Sequence, residues 1–95
     1  YREVKYMLYK TIKPKKYINN DNYYYDIVRK NIRKYRASNN LTQQDLADMT
    51  DLSREYISDI ENDKRNKHFT ISVLGRIAEA LDIDIKEFFN EEEQE

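Results

Sequence analysis

Apolar residues recur at helical spacing along most of this chain. Val28, Ile32 and Tyr35 are four and three positions apart, which places them on one side of a helix over about residues 23–38. A second, wider apolar side follows Thr70. It comprises Ile71, Leu74, Ile77, Ala78 and Leu81. These two periods predict the first and the fourth helix of the chain.

Two shorter helices are predicted between them by residues that cap helix starts. Thr42 and Ser53 each carry a hydroxyl that accepts a hydrogen bond from an unpaired N–H of the first helical turn. Asp45, three residues after Thr42, completes a pattern that resembles a capping box. We expect helices from about Gln43 to Thr50 and at about 54–62, so that little chain separates them.

The remaining segments divide the chain into three regions. Asp84 and Glu87 repeat the capping pattern and predict a short fifth helix through Phe88 and Phe89. The domain is therefore expected to be all-α, with five helices over 23–90, an acidic tail over 91–95 and an amino-terminal extension over 1–22.

The extension fits two patterns. Val4, Tyr6 and Leu8 alternate with more polar residues as in a strand, whereas Val4, Leu8 and Ile12 also fit a helical stripe. Its Tyr, Val, Thr and Ile content favours a β-strand. A single strand is not stable alone, so the extension is expected to pack on the domain or to pair with a second copy.

Composition excludes several classes of function. The chain has no cysteine and one histidine, His68, and it lacks a glycine-rich phosphate loop and a cluster with metal-ligand spacing. We therefore predict no enzyme activity, no catalytic residue, no metal and no cofactor. The lack of cysteine fits a reducing cytoplasm. No apolar run approaches the roughly 18 residues of a membrane span.

The net charge of −1 conceals an asymmetry. Residues 1–36 contain 11 Lys/Arg and 3 acids, whereas residues 37–95 contain 6 Lys/Arg and 15 acids. This distribution is typical of a nucleic-acid surface on one side of a protein, or of an ordinary charged surface with an acidic tail. Charge alone does not separate the two interpretations.

The predicted third helix carries side chains that suit DNA bases. The spacing of the second and third helices is that of a helix-turn-helix, in which the second of the two enters the major groove. Arg54 has two donors for guanine, Glu55 or Asp59 accepts from cytosine, and Tyr56 suits a phosphate or a thymine methyl. A polar outer side is, however, found on any surface helix.

The charge of this unit is unfavourable for DNA binding. Residues 42–63 contain seven acids and one strong base. Most affinity for phosphates is therefore expected to come from Lys64, Arg65 and Lys67, and from the basic side of the first helix. That side is predicted to be formed by outward-facing Arg29, Lys30, Arg33 and Lys34.

Four segments resemble the phage-repressor (Cro/XRE-type) helix-turn-helix family in both order and spacing. They are Ile32–Arg36, Leu41–Ala47, Ile57–Asn62 and Ile71–Leu81. The resemblance covers about residues 27–89. It implies a five-helix, lambda-repressor-like DNA-binding domain, usually dimeric, that acts as a transcriptional regulator.

The resemblance also implies roles for individual residues. Arg36 and Glu61 match a structural ion pair, and Gln43 matches a glutamine that contacts phosphate and braces the third helix. Asp51 stands where the family usually has glycine, at a position that often has a positive φ. With the residues chosen above, the predicted DNA-binding set is Gln43, Gln44, Ser53, Arg54, Glu55, Tyr56, Asp59, Asn62, Lys64, Arg65 and Lys67.

The main hypothesis is a sequence-specific regulator of transcription, a repressor, that binds double-stranded DNA as a homodimer and reads a pseudo-palindrome. Its dimer surface is expected at the fifth helix (Phe88, Phe89) or at the extension. The alternative is an antitoxin or protein-interaction module that binds a protein partner through residues 1–22.

Overall fold

The computed structural model describes residues 20–91, which form four α-helices and one 3₁₀ helix. The predicted strand falls on residues 1–19, and most of the predicted acidic tail falls on residues 92–95, so both lie outside the described residues. The elements, in order, are α1 (Tyr23–Ser38), α2 (Gln43–Thr50), α3 (Arg54–Glu61), α4 (Ile71–Ala80) and the 3₁₀ helix (Ile85–Phe89).

The predicted short fifth helix is present as a 3₁₀ helix rather than an α-helix. Asp84 caps this element as expected, but its side chain accepts from the Lys86 N–H, 3.1 Å away and only two residues on. The Glu87 N–H donates to the Asp84 carbonyl at 2.9 Å, which is a three-residue rather than a four-residue step.

The predicted end of α3 at residue 62 was also one residue too late. Asn62 has extended backbone angles, φ −88° and ψ 112°, and it follows the last helical residue, Glu61. The Asn62 side-chain oxygen accepts from the Lys64 N–H at 2.9 Å. An asparagine that binds the backbone two residues on forms a local turn in place of another helical turn.

The apolar sides of all five elements meet in one core. It comprises Val28, Ile32, Leu46, Ala47, Ile57, Ile60, Leu74, Ile77, Ala78, Leu81 and Phe88. The first helix contributes Val28 and Ile32 as its hydrophobic period predicts, with Tyr35 packed against the core. The fourth helix contributes its predicted residues except Ile71, which is 71% exposed. The 3₁₀ helix packs against α1 and α4, and its Phe88 is fully buried.

The tight connection between α2 and α3 depends on a left-handed residue. Asp51 has φ 58° and ψ 37°, a conformation that aspartate tolerates better than most residues other than glycine. Leu52 follows and packs against the core. Only residues 51–53 separate the two helices, so the direction of α3 is fixed relative to α2.

No helix within residues 20–91 has both the length and the apolar character needed to cross a membrane.

The capping box at the start of α2 generates a pH-dependent prediction. The Thr42 N–H donates to the Asp45 carboxylate at 2.9 Å, and the Asp45 N–H donates to the Thr42 hydroxyl at 3.0 Å. The hydrogen bonds with the Thr42 backbone and hydroxyl lower the pKa of Asp45. Because the folded state has the lower pKa, this stabilisation is present above the unfolded pKa of about 3.9 and is lost as the pH falls through the folded value.

We therefore expect Asp45→Asn to lower the melting temperature at pH 7, and the difference from wild type to shrink as the pH falls below about 4. Thermal unfolding followed by circular dichroism between pH 2 and pH 7 measures this. Glu79→Gln, at an exposed position of α4, is the control. A difference that stays constant down to pH 2 would contradict the role of the Asp45 charge.

Candidate nucleic-acid interface

Helix α3 has one side in the core and one side towards solvent. Ile57 and Ile60 are fully buried, and Glu61 is 3% exposed. Arg54 and Glu55 are exposed on the other side, while Tyr56 and Asp59 are half-buried. The polar residues of α3 therefore lie on its solvent-facing side, as the helical period predicts.

The N-terminal end of α3 is held by its own cap. Ser53 precedes the helix in an extended conformation, and its hydroxyl accepts from the Tyr56 N–H at 3.0 Å. The end of α2 before it is also held, because Arg76 of α4 donates to the Thr50 carbonyl at 3.0 Å. Arg54 and Glu55 therefore start from a fixed turn.

The C-terminal end of α3 is held by an ion pair with α1. Arg36 Nε donates to Glu61 Oε2 at 2.7 Å, and Arg36 Nη2 donates to Glu61 Oε1 at 2.9 Å. This paired carboxylate raises the pKa of Arg36. The third donor, Arg36 Nη1, binds the Leu41 carbonyl at 2.7 Å, so one side chain connects α1, α3 and the segment before α2.

Gln43 also contacts this ion pair. Its side-chain Nε2 donates to Glu61 Oε1 at 3.2 Å, and the residue is half-buried. This is the geometry of a brace between the start of α2 and the end of α3. Its neighbour Gln44 is exposed and donates to Asp48 at 2.8 Å, along the outer side of α2.

Two arginines that were predicted to face outward from α1 face α3 instead. Arg29 is fully buried, and its guanidinium donates to the Ile60 carbonyl at 2.7 Å and to the Lys67 carbonyl at 3.0 Å. Arg33 donates to the Glu61 carbonyl and to the Asp63 carboxylate. The physical reason is that the last carbonyls of a helix lack partners within it and need donors from elsewhere.

A signal for this arrangement was present in the sequence. Arg29, Arg33 and Arg36 are four and three positions apart, so they lie on one side of α1. Arg36 was predicted to pair with Glu61 at the end of α3. Because Arg29 and Arg33 lie on the same side of α1, they can be expected to face the end of α3 as well. The exposed cations left on α1 are Lys30 and Lys34.

A basic loop, defined by Lys64, Arg65 and Lys67, follows α3. All three are exposed, and two lie against the outer side of the helix. Arg65 Nε is 3.6 Å from Asp59 Oδ1, and Lys67 Nζ is 5.3 Å from the centre of the Tyr56 ring. Two of the loop cations therefore adjoin two of the predicted DNA-binding residues of α3.

Ion pairs reduce the acidity that the sequence shows for this unit. Three of its carboxylates have arginine partners: Glu61 with Arg36, Asp63 with Arg33 at 3.0 Å, and Asp59 with Arg65. Of these, only the pair at Glu61 is largely shielded from solvent. The repulsion of phosphate by residues 42–63 is accordingly weaker than a count of charges suggests.

His68 packs at the start of α1. Its ring stacks on Tyr25 with the ring centres 4.0 Å apart and the planes 4° from parallel, and its Nε2 lies 2.7 Å from the Asn22 side-chain oxygen. Phe69 contacts Tyr25 edge-on. In residues 20–91, no group of three or more His, Cys, Asp or Glu side chains is arranged to hold a metal ion.

An apolar patch, defined by Tyr24, Ile71 and Phe89, lies beside this cluster. These side chains are 49%, 71% and 42% exposed, and they line one shallow groove between α1, α4 and the 3₁₀ helix. The expectation that Phe88 forms part of a dimer surface was wrong, because Phe88 is fully buried between the 3₁₀ helix and α1.

Comparisons with known proteins agree with this geometry. A family model described as helix-turn-helix matches residues 32–88. Control protein C.SmaI of Serratia marcescens is 40% identical over 60 residues, which are 63% of this chain and 69% of that protein. The immunity repressor protein of Bacillus phage phi105 is 38% identical over 65 residues, 68% of this chain but only 44% of the repressor.

A solved structure shares the same arrangement of helices. The restriction-modification controller protein C.AhdI from Aeromonas hydrophila superposes with a TM-score of 0.63 at 26% sequence identity. The match covers 68% of this chain and 96% of that one.

The ion pair at the end of α3 gives a stability prediction. Glu61→Gln leaves the guanidinium of Arg36 without its carboxylate, and breaking a pair at a buried site costs about 3 kcal/mol. We expect a lower midpoint in urea unfolding, whereas Glu55→Gln on the exposed side of α3 should change the midpoint little. Equal losses for the two variants would show that Glu61 has no special role in holding α3.

Proposed function

The chain belongs to the phage-repressor type of helix-turn-helix family and is a DNA-binding transcriptional regulator, and on that premise we propose that it represses transcription as a homodimer bound to a pseudo-palindromic operator. The observation that supports this mode of binding is that cations of the basic loop contact the outer side of α3. We also propose that it binds DNA in the cytoplasm.

The residues on this surface divide by the group they suit. Arg54 and Glu55 are exposed in the first turn of α3, where a helix in the major groove meets base edges. We propose that Arg54 donates to guanine O6 and N7, and that Glu55 or Asp59 accepts from a cytosine amino group. Tyr56 and Ser53 lie at the same end and suit a neighbouring phosphate or a thymine methyl.

The residues around α3 suit the phosphate backbone. We propose that Lys64, Arg65 and Lys67 neutralise phosphates, with Asn62 shaping the turn that carries them. Gln43 and Gln44 lie at the start of α2, where side-chain amides suit phosphate contacts. Gln43 would then combine this contact with its hydrogen bond to Glu61.

The size of α3 and the apolar patch support a homodimer. Eight helical residues extend only about 12 Å, so one copy reads a few base pairs. Two copies related by a twofold axis would place their α3 helices about 34 Å apart, in successive major grooves. We propose that the patch formed by Tyr24, Ile71 and Phe89 packs against a second copy, because neighbouring exposed apolar side chains mark interaction sites.

Selection on random duplex DNA tests the proposed function. The wild-type protein should enrich one pseudo-palindromic sequence, and its affinity should fall steeply with salt because phosphate contacts release counterions. Binding no stronger than to unrelated DNA, with no enriched sequence, would refute the proposal.

Two substitutions separate base reading from phosphate binding. Arg54→Ala should relax base preference at one position of each half-site, at a cost of about 1–3 kcal/mol on the selected sequence. Lys64→Ala should weaken all sequences alike and reduce the salt slope by about one unit. Affinity measured on matched and unmatched duplexes at several salt concentrations gives both quantities, with Lys86→Ala as the control for charge loss on the 3₁₀ helix.

The oligomeric state tests the apolar patch. Ile71→Asp should shift the protein towards monomer, because a carboxylate would be buried unpaired in the interface. The fold should be retained, since Ile71 is the first residue of α4 and acids are favourable in a first helical turn. Met49→Asp is the matched control, because Met49 is 52% exposed on α2, away from the patch. Sedimentation that shows equal dimerisation of both variants would exclude the patch.

A further inference from the structure

Arg29 is a fully buried arginine whose partners belong to three different parts of the fold. Nε donates to Asp26 Oδ1 at 3.1 Å within α1. Nη1 donates to the Ile60 carbonyl in the last turn of α3, at 2.7 Å. Nη2 donates to the Lys67 carbonyl in the basic loop, at 3.0 Å.

Burying a guanidinium removes the hydration of its charge, which costs free energy. A buried carboxylate would offset this cost, but Arg29 is not paired with one in the described part of the chain. Within residues 20–91 its carboxylate partner is Asp26, whose side chain is 46% exposed. The other two partners are neutral carbonyls. A well-packed apolar residue at such a position often gives equal or greater stability, so stability alone is a poor reason for an arginine here.

The two carbonyls have different roles in the proposed interface. Ile60 lies next to Asp59, on the helix that is proposed to read bases. Lys67 belongs to the loop that is proposed to bind phosphates. The planar guanidinium fixes both carbonyls in one geometry, because its nitrogens do not rotate independently.

We propose that Arg29 is a positioning residue that holds α3 and the basic loop in one fixed relation, so that base contacts and phosphate contacts are made in the same register. This inference rests on the proposed function. Arg29 itself is buried and touches no DNA. Its loss therefore affects the discrimination between operator and other DNA more than the affinity for DNA in general.

Arg29→Lys is the informative variant. It keeps a positive charge, but a single ammonium group does not reproduce the fork that spans Ile60 and Lys67. Lys86→Arg is the control. It also exchanges one cation for another, but Lys86 is exposed on the 3₁₀ helix, which packs against α1 and α4.

Amide hydrogen exchange of the free protein gives a readout that does not depend on DNA. The Asn62 N–H donates to the Asp59 carbonyl, and the Arg65 N–H donates to the Asn62 carbonyl. Arg29→Lys should accelerate exchange at these two amides while the amides of Leu46 and Leu74 keep their protection. Uniform acceleration across all four amides would indicate only a loss of global stability and would overturn the inference.

Binding to the selected operator and to unrelated DNA gives the second readout. At a temperature where circular dichroism shows both proteins folded, Arg29→Lys should reduce the ratio of specific to nonspecific affinity by about tenfold, the scale of one lost base contact. Lys86→Arg should leave the ratio within about twofold of wild type. An unchanged ratio in a folded Arg29→Lys protein would overturn the inference.

The failures of the two proposals are distinguishable. If the wild-type protein selects no sequence, the proposed function fails, and hydrogen exchange alone decides whether Arg29 joins α3 to the loop. If Arg29→Lys does not fold, Asp26→Ala replaces it, because it removes the side-chain oxygen that accepts from Nε. This variant should show the same local acceleration of exchange at Asn62 and Arg65, and unchanged exchange there would refute the inference.

Discussion

The last carbonyls of α3 have no hydrogen-bond donors within the helix, and the position of the proposed DNA-binding surface depends on how α1 supplies those donors. Arg29 and Arg33 donate to the carbonyls of Ile60 and Glu61, and Arg36 pairs with the Glu61 carboxylate. Positive charge at the C-terminal end of a helix is also favourable to the helix dipole. Because α3 has only two turns, fixing this end and the Ser53 cap fixes the whole helix.

The same contacts explain how an acidic helix-turn-helix unit is compatible with binding a polyanion. Arginines from α1 neutralise Glu61 and Asp63 on the protein side of α3, while the basic loop lies along its outer side. These pairs offset only part of the acidity, because Asp45, Asp48, Asp51 and Glu55 are exposed. Phosphate contacts supply a large share of the affinity of DNA-binding proteins, so the exposed cations of the basic loop matter more than the net charge of −1.

Sequence patterns predicted the local structure well, because helix periods and caps depend on nearby residues. The starts at Gln43, Arg54 and Ile71 follow from the hydroxyls of Thr42, Ser53 and Thr70. The direction of Arg29 was predicted wrongly, since a charged residue in a helix is normally exposed, and the carbonyls that bury it are 31 and 38 residues away. Ile71 was likewise predicted to lie in the core but is exposed. Helical periodicity gives the side of the helix on which a residue lies, but it does not show whether another element covers that end of the helix.

Side chains of α1 hold α3 in place, and we propose that α3 thereby presents Arg54 and Glu55 to base edges. A crystal structure of the protein bound to its selected operator tests this most directly. We expect α3 in the major groove, with the Arg54 guanidinium within hydrogen-bonding distance of a guanine and the Arg29 and Arg36 contacts intact. A complex in which α3 lies outside the groove, or in which DNA contacts the apolar patch, would contradict it.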